Sequence, residues 1–324
     1  MLAAAAIALS GCAPPLTVVF PPVVLGQRPI RPVPAFGSVW VANAADGTVQ
    51  RVDPATGTTA ATIRVADPQV LLAAGCAPSS EHAYATGSFG LRGCDAPSAV
   101  AAGAGAIWAV ANDANAVVRV DPARNAVSGT VPLGFNAWSV AVSGDAVWVT
   151  DYVGDAVVRV DPRTLRVVAR IALPSGPTEL AIDGTSLWVV CSAAAMLARI
   201  DTSTNTRTAT VPVGVWALAV ATAGDDVWVR GGSTRTNGGL YHVDARTNTS
   251  TTVYDAGSPQ GREGVGSIAT TPRGVWVPGV TLDLIDPATG ATIASYDVAS
   301  YAVAVDGDVL WVLDVFGRLR RLRS

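Results

Sequence analysis

Few side chains in this chain are suited to chemistry, and their scarcity is informative. There are two histidines, His82 and His242, to serve metal binding or acid–base transfer. All 22 basic residues are arginine, so a lysine Schiff base and a lysine-bearing phosphate loop are both excluded. No nucleophile elbow, zinc-protease helix, phosphate loop or dinucleotide fingerprint stands in a suitable place. Of the four cysteines, Cys191 sits in an apolar strand pattern, Leu187–Cys191, and reads as a small buried residue. Catalytic options are therefore narrow, and no cofactor is expected.

The elements that must position these groups are built from an apolar, turn-rich chain. Half of the residues are hydrophobic and 15% charged, with 32 Gly and 21 Pro, which suits many short strands around a large core. A formal net charge of −3 offers no basic field, so nucleic acid is not an expected partner.

The N-terminus, MLAAAAIALSGC, is apolar and too short to span a bilayer at about 20 residues. It reads as a signal peptide over residues 1–11, although no basic residue precedes the apolar run. Leu9-Ser10-Gly11-Cys12 resembles the bacterial lipobox, which implies a lipid anchor at Cys12 and an extracytoplasmic location at the cell membrane. In an exported chain, Cys76 and Cys94, eighteen positions apart in one Gly/Pro/Ser-rich stretch, make a reasonable disulfide. A metal site there would lack paired cysteine spacing and would have only His82 nearby.

Internal repetition decides the architecture. Trp40, Trp108, Trp148, Trp188, Trp228, Trp276 and Trp311 each lie in an apolar strand, and the central intervals are 40 residues. Thirteen positions after four of them comes an aspartate: Asp53, Asp121, Asp161 and Asp201; Asp244 and Asp286 follow at 16 and 10. The unit is plainest over residues 138–173, where four short alternating, β-branched strands follow one another. Asp-Pro-Ala-Thr-Gly joins the third and fourth strands at 53–57 and 286–290. There the carboxylate caps a turn, proline sets φ and glycine takes the left-handed position.

A 40-residue unit of four antiparallel strands is a propeller blade, and seven such units predict an all-β, seven-bladed β-propeller over residues 12–324, with an insertion at 66–96. The seventh blade stops where its third strand ends. Leu16–Leu25 stands at the distance of a fourth strand and is expected to complete that blade and close the ring.

The repeat, with Trp40-Val-Ala-Asn43, Trp148-Val-Thr-Asp151 and Val-Arg-Val-Asp-Pro, resembles the YVTN-type bacterial propellers and is similar to the repeats of streptogramin B lyase. The resemblance implies the fold over nearly everything after Pro29. That lyase family uses Mg²⁺ and histidines gathered on its top face, whereas neither histidine here stands in a Glu-x-His pair.

In a propeller, fourth-to-first and second-to-third connections share one face, the top. Length excesses between Asp53 and Trp108, between Trp228 and Asp244, and between Asp244 and Trp276 all fall there. Loop elaboration on a rigid scaffold is where binding resides. The innermost strands start at that face, and counting back from each tryptophan places Ser98, Trp138, Thr178, Trp216, Gly266 and Tyr301 near the channel mouth. The candidate binding residues are therefore Trp138, Glu179, Trp216, Tyr301 and Arg262, with Glu81 and His82 in the insertion. Their competing reading is inter-blade packing, a rim hydrogen bond for Glu179 and solvated loops for the rest. Arg51, Arg119, Arg159 and Arg199 share one third-strand position with His242, which makes that histidine structural. Arg318, Arg320, Arg321 and Arg323 are expected on the bottom face with the anchor, available to anionic headgroups.

The expected function is a non-catalytic, membrane-anchored binding scaffold, monomeric, holding a small molecule, peptide, glycan or envelope protein on its top face. The alternative is a metal-dependent lyase or hydrolase related to streptogramin B lyase.

Overall fold

The computed structural model describes residues 15–73, 96–232, 239–255 and 267–323, with the side chains of 71, 72, 216, 232, 254 and 255 excepted. Cys12, Cys76, Cys94, Glu81, His82, Arg262 and the signal segment lie outside the described residues.

Seven four-stranded antiparallel sheets stand in a ring. Blade three shows the pattern: Ala137–Ser143, Ala146–Asp151, Ala156–Asp161 and Arg166–Ala172, from the axis outward. Second strands are buried on both faces, as in Ser38–Asn43 and Ala106–Ala111, because each lies between two neighbouring blades. Outermost strands such as Arg166–Ala172 and Thr206–Pro212 are largely exposed. Burial thus peaks at the second strand and falls toward the rim, which is why the second strands read as continuous apolar runs.

The seven repeat tryptophans are all at most 2% exposed. Six are paired in register with the third-strand position two before the turn aspartate, as in Trp40↔Arg51, Trp148↔Arg159 and Trp188↔Arg199, and Trp311 pairs with Arg321 in blade seven, which has no such aspartate. The guanidinium of Arg51, Arg159, Arg199 and Arg321 lies 5.1 to 5.8 Å from its tryptophan ring. Three of these arginines also reach the next blade's outer turn. Arg51 donates to Asn125 Oδ1 at 3.0 Å, Arg159 to Asn205 at 3.1 Å and Arg199 to the Ala245 carbonyl at 2.5 Å. They are spokes between blades. His242 takes this place in blade five, its ring 4.7 Å from Trp228 and its Nε2 2.6 Å from Asp226 Oδ1, so its role is structural.

The turn aspartates behave as their spacing implies. Asp53, Asp121, Asp161, Asp201 and Asp286 each accept the backbone N–H two and three residues on. Four residues after the aspartate comes a left-handed residue: Gly57, Asn125, Leu165, Asn205, Asn248 or Gly290. At Gly57 a Cβ would also lie 2.7 Å from the Phe20 ring, so the turn of blade one can approach the closing segment this closely only with glycine there.

The ring is closed by the N-terminal segment. Thr17–Val18 and Val23–Val24 pair antiparallel with Arg318–Arg323, from Thr17↔Arg323 to Val24↔Arg318. The expected continuous strand is two short ones, because Pro21 and Pro22 offer no N–H to the ladder. Leu16 and Val23 are buried, in the clusters on either side of blade seven.

One expectation is corrected here. Val309 pairs with Arg323 and Leu313 with Leu319, so Arg318 stands at the mouth end of its strand and Arg323 at the opposite end. The four arginines do not share the bottom face. Arg320 and Arg323 bond Asp314 and Asp308, at 2.8 and 3.1 Å, while Arg318 and Arg321 lie over Phe316 and Trp311. A strand crossing the depth of a blade alternates its side chains between neighbours rather than collecting them on one end.

Candidate functional site

The innermost strands carry the site, and the register of their partners shows which residues share a level. Val33, Ala101, Ala141, Ala181, Ala221, Ala269 and Ala304 are opposite the seven tryptophans. Two residues earlier in each strand come Arg31, Ala99, Ser139, Glu179, Ala219, Ser267 and Ala302. The ladder is irregular at this level in five blades, with register shifts at Ile30/Pro32, Ala137/Val140, Pro177/Leu180, Val215/Ala219 and Ser300/Ala302. A bulge releases a residue from strict alternation and re-aims its side chain. Here it turns groups that would otherwise face a neighbouring blade toward the axis.

Arg31 and Glu179 use that freedom. Arg31 Nη2 lies 2.6 Å from Glu179 Oε2, and the Ser139 hydroxyl donates to the same oxygen at 3.1 Å. Arg31 belongs to blade one and Glu179 to blade four, which are not neighbours, so their contact crosses the central channel. The Glu179 side chain is 3% exposed and that of Arg31 25%. A buried carboxylate requires such a partner, since leaving it alone is strongly unfavourable. Glu179 therefore makes far more than a rim hydrogen bond.

Around this pair the inner strands are stitched to one another. Ser98 donates to the Ala137 carbonyl at 3.4 Å and Thr150 to the Thr178 carbonyl at 2.9 Å. Ser267 both donates to the Val303 carbonyl and accepts its N–H. Ser98 and Thr178, like Glu179, are thus held by neighbouring blades.

The aromatic residues divide. Trp138 is 8% exposed and stacked on Tyr152, with ring centroids 5.0 Å apart, so packing claims most of it. Tyr301 is half-buried. Trp216 stands inside the irregularity of Val215–Ala223, and the residue in register with Trp138 is Leu218. Farther out on blade three, Arg170 bonds Asp151 at 2.6 Å and lies over the Phe135 ring.

Arg31 and Ser139 are the site residues that sequence reasoning missed. Both stand nine positions before a repeat tryptophan, as Glu179 does. Counting to that level rather than ten positions back brings the three together.

The chemistry available is recognition by charge and hydrogen bond. Burial pushes the Cys191 thiol up to about 12, which removes it as a nucleophile. Among the described residues no three His, Cys, Asp or Glu side chains gather to hold a metal ion. The carboxylate oxygen nearest the axis already receives a guanidinium and a hydroxyl. The described residues at this mouth thus do not fit the Mg²⁺ that the lyase resemblance implies.

Fold and site together define a seven-bladed β-propeller with a charged, bulge-built channel mouth. No protein-family profile matches the chain, and no curated protein matches it by sequence. Solved structures share its fold. A streptogramin B lyase structure aligns with a TM-score of 0.71 and 14% identity, over 94% of this chain and 96% of that one. The hydrazine synthase of Kuenenia stuttgartiensis aligns at 0.70 and 12%, over 93% and 97%. Virginiamycin B lyase from Staphylococcus aureus aligns at 0.67 and 12%, over 94% and 98%. At these identities the likeness speaks for the fold alone.

Proposed function

We propose that the protein is a non-catalytic, membrane-anchored extracytoplasmic binding scaffold whose top face recognises a small molecule, peptide, glycan or envelope protein. One observation carries this reading: sequence length is added only on the face where Arg31, Ser139 and Glu179 converge. The connections after Thr59–Arg64, Asp226–Gly232 and Thr249–Asp255 all emerge there, whereas third-to-fourth-strand turns on the other face repeat one five-residue design. The placement of Thr17 opposite Arg323, at the end away from the mouth, supports an anchor at Cys12 that turns the elaborated loops outward.

The experiment is face-specific crosslinking in the native envelope. A photo-crosslinking residue replaces Val153, 83% exposed in a top-face turn, or Phe36, 44% exposed in a turn of the opposite face. One partner band from position 153 and none from 36 is the expected result. Crosslinks from 36 alone would overturn the reading.

A second reading, a metal-dependent lyase or hydrolase using Glu179 with help from His82, takes support from the likeness to two lyases. Metal retained through purification and lost on Glu179→Ala would favour it; metal-free protein speaks for the scaffold.

A further inference from the structure

Burial changes once along the inner strands, at nearly the same level in every blade. In Ala137–Ser143 and Pro177–Asp183 four buried residues are followed by three half-buried ones, and the change falls at the residue opposite the repeat tryptophan. Pro32, Val100, Val220 and Val303 are likewise the last buried residues of their strands, and Ala269 is the last in blade six, one position later. The ladder partners of the half-buried residues, such as Val147 and Trp148 beside Val142 and Ala141, are fully buried, so the exposure is toward the axis. The axial channel is therefore closed at the level of Ser139 and Glu179 and opens on the bottom face as a blind well, whose rim lies two strand rises, about 7 Å, below the tryptophan level.

Its wall is small and uncharged: alanine in six blades at the tryptophan level, then Val142, Ile182 and Val305. Thr222 and Thr270 donate their hydroxyls to the carbonyls of Ile182 and Thr222, which satisfies part of the wall's backbone edge. No arginine stands in this stretch of any inner strand. Its two charges are Asp183 and Asp306, at the strand ends of blades four and seven, on opposite sides of the rim. Other carboxylates of the bottom face are occupied. The turn aspartates cap their turns, Asp145, Asp225 and Asp308 meet arginines, and Asp226 meets His242. Among the described residues Asp183 and Asp306 have no such partner, and Asp183 Oδ2 is buried without a hydrogen bond. A buried oxygen without a donor is unfavourable, and an ammonium group arriving from solution removes that penalty.

We propose that the bottom end of the axial channel is a binding site for a linear aliphatic diamine, its two ammonium groups held by Asp183 and Asp306 and its methylene chain against the alanine wall. A concave apolar site with a few placed polar groups is suited to such a ligand.

The test is a ligand-observed NMR titration of the full chain with 1,6-diaminohexane, hexylamine and 1,6-hexanediol at equal ionic strength. The diamine binds saturably, hexylamine about tenfold more weakly because one charge-assisted contact is lost, and the diol not at all. Asp183→Asn and Asp306→Asn each bring the diamine down to the strength of hexylamine. Neither carboxylate has a partner to lose, so both variants melt within about 1 °C of wild type. Ser143→Trp, at the rim, blocks binding without touching either acid. Equal binding of diamine and hexylamine, full affinity in both Asn variants, or displacement by equimolar Mg²⁺ (attraction by charge alone) overturns the proposal. The scaffold reading stands or falls separately, because crosslinking through position 153 reports on the opposite face.

Discussion

Replacing Leu16 by alanine tests the closure on which every assignment of faces depends. Leu16 is fully buried beside Tyr296 and Leu322, in the cluster shared by blades six and seven. Leucine-to-alanine changes at such sites cost about 2–5 kcal/mol, depending on how far the walls collapse. Two sheets wall this one, so about 3 kcal/mol is expected. An unfolding entropy of about 2 cal/mol/K per residue gives roughly 0.7 kcal/mol/K for the chain, hence a melting temperature lower by about 4 °C. Val24, in the same closing segment but 76% exposed, is the control, and Val24→Ala is expected within about 1 °C of wild type. Urea denaturation supplies a second reading: Leu16→Ala lowers the midpoint at unchanged slope, because the folded ring stays shut. Equal effects at the two positions, or none at Leu16, would refute the closing of blade seven by this segment. A reduced slope would mean that the strand leaves before the ring unfolds.

Three further expectations follow from the same structure. Arg199→Met keeps an apolar stem over Trp188 but loses the bonds to Ser186, Ala245 and Asn248; a loss of about 1.5–3 kcal/mol by urea denaturation is expected. Backbone N–H donors hold the turn carboxylates of Asp121, Asp161 and Asp286 below their ordinary range, and the Ser203 hydroxyl and N–H do the same for Asp201. A depressed folded-state value stabilises above the ordinary carboxylate range and is lost as pH falls through it, so stability declines in acid below about pH 4, and Asp201→Asn flattens part of that decline. Cys191, buried with its thiol near 12, stays unmodified by a thiol reagent at pH 8 in folded protein and reacts on addition of urea; labelling of the native state would contradict its placement.

The architecture was legible because a propeller is nearly one-dimensional. Spacing from tryptophan to aspartate specifies a blade without reference to distant parts of the chain, and Asp201 or Gly57 does its work within five residues. The spoke arginines were visible as a repeated position, though not their reach to the next blade's turn. Closure was legible from the arrangement of strands, since a missing fourth strand and a surplus N-terminal one leave few alternatives.

The channel mouth was a different matter. Arg31 and Glu179 are 148 positions apart, and nothing local connects them. They meet because seven sheets curl onto one axis and because bulges, invisible in apolar alternation, swing single side chains inward. The stacking of Trp138 on Tyr152, fourteen positions on in the same blade, likewise depends on the irregular register at the start of its strand. The sequence by itself determined the repeating unit, its number and its turns, all fixed by short-range periodicity. Only the tertiary structure decided which charges face each other across the ring, because that is set by register and curvature accumulated over four blades.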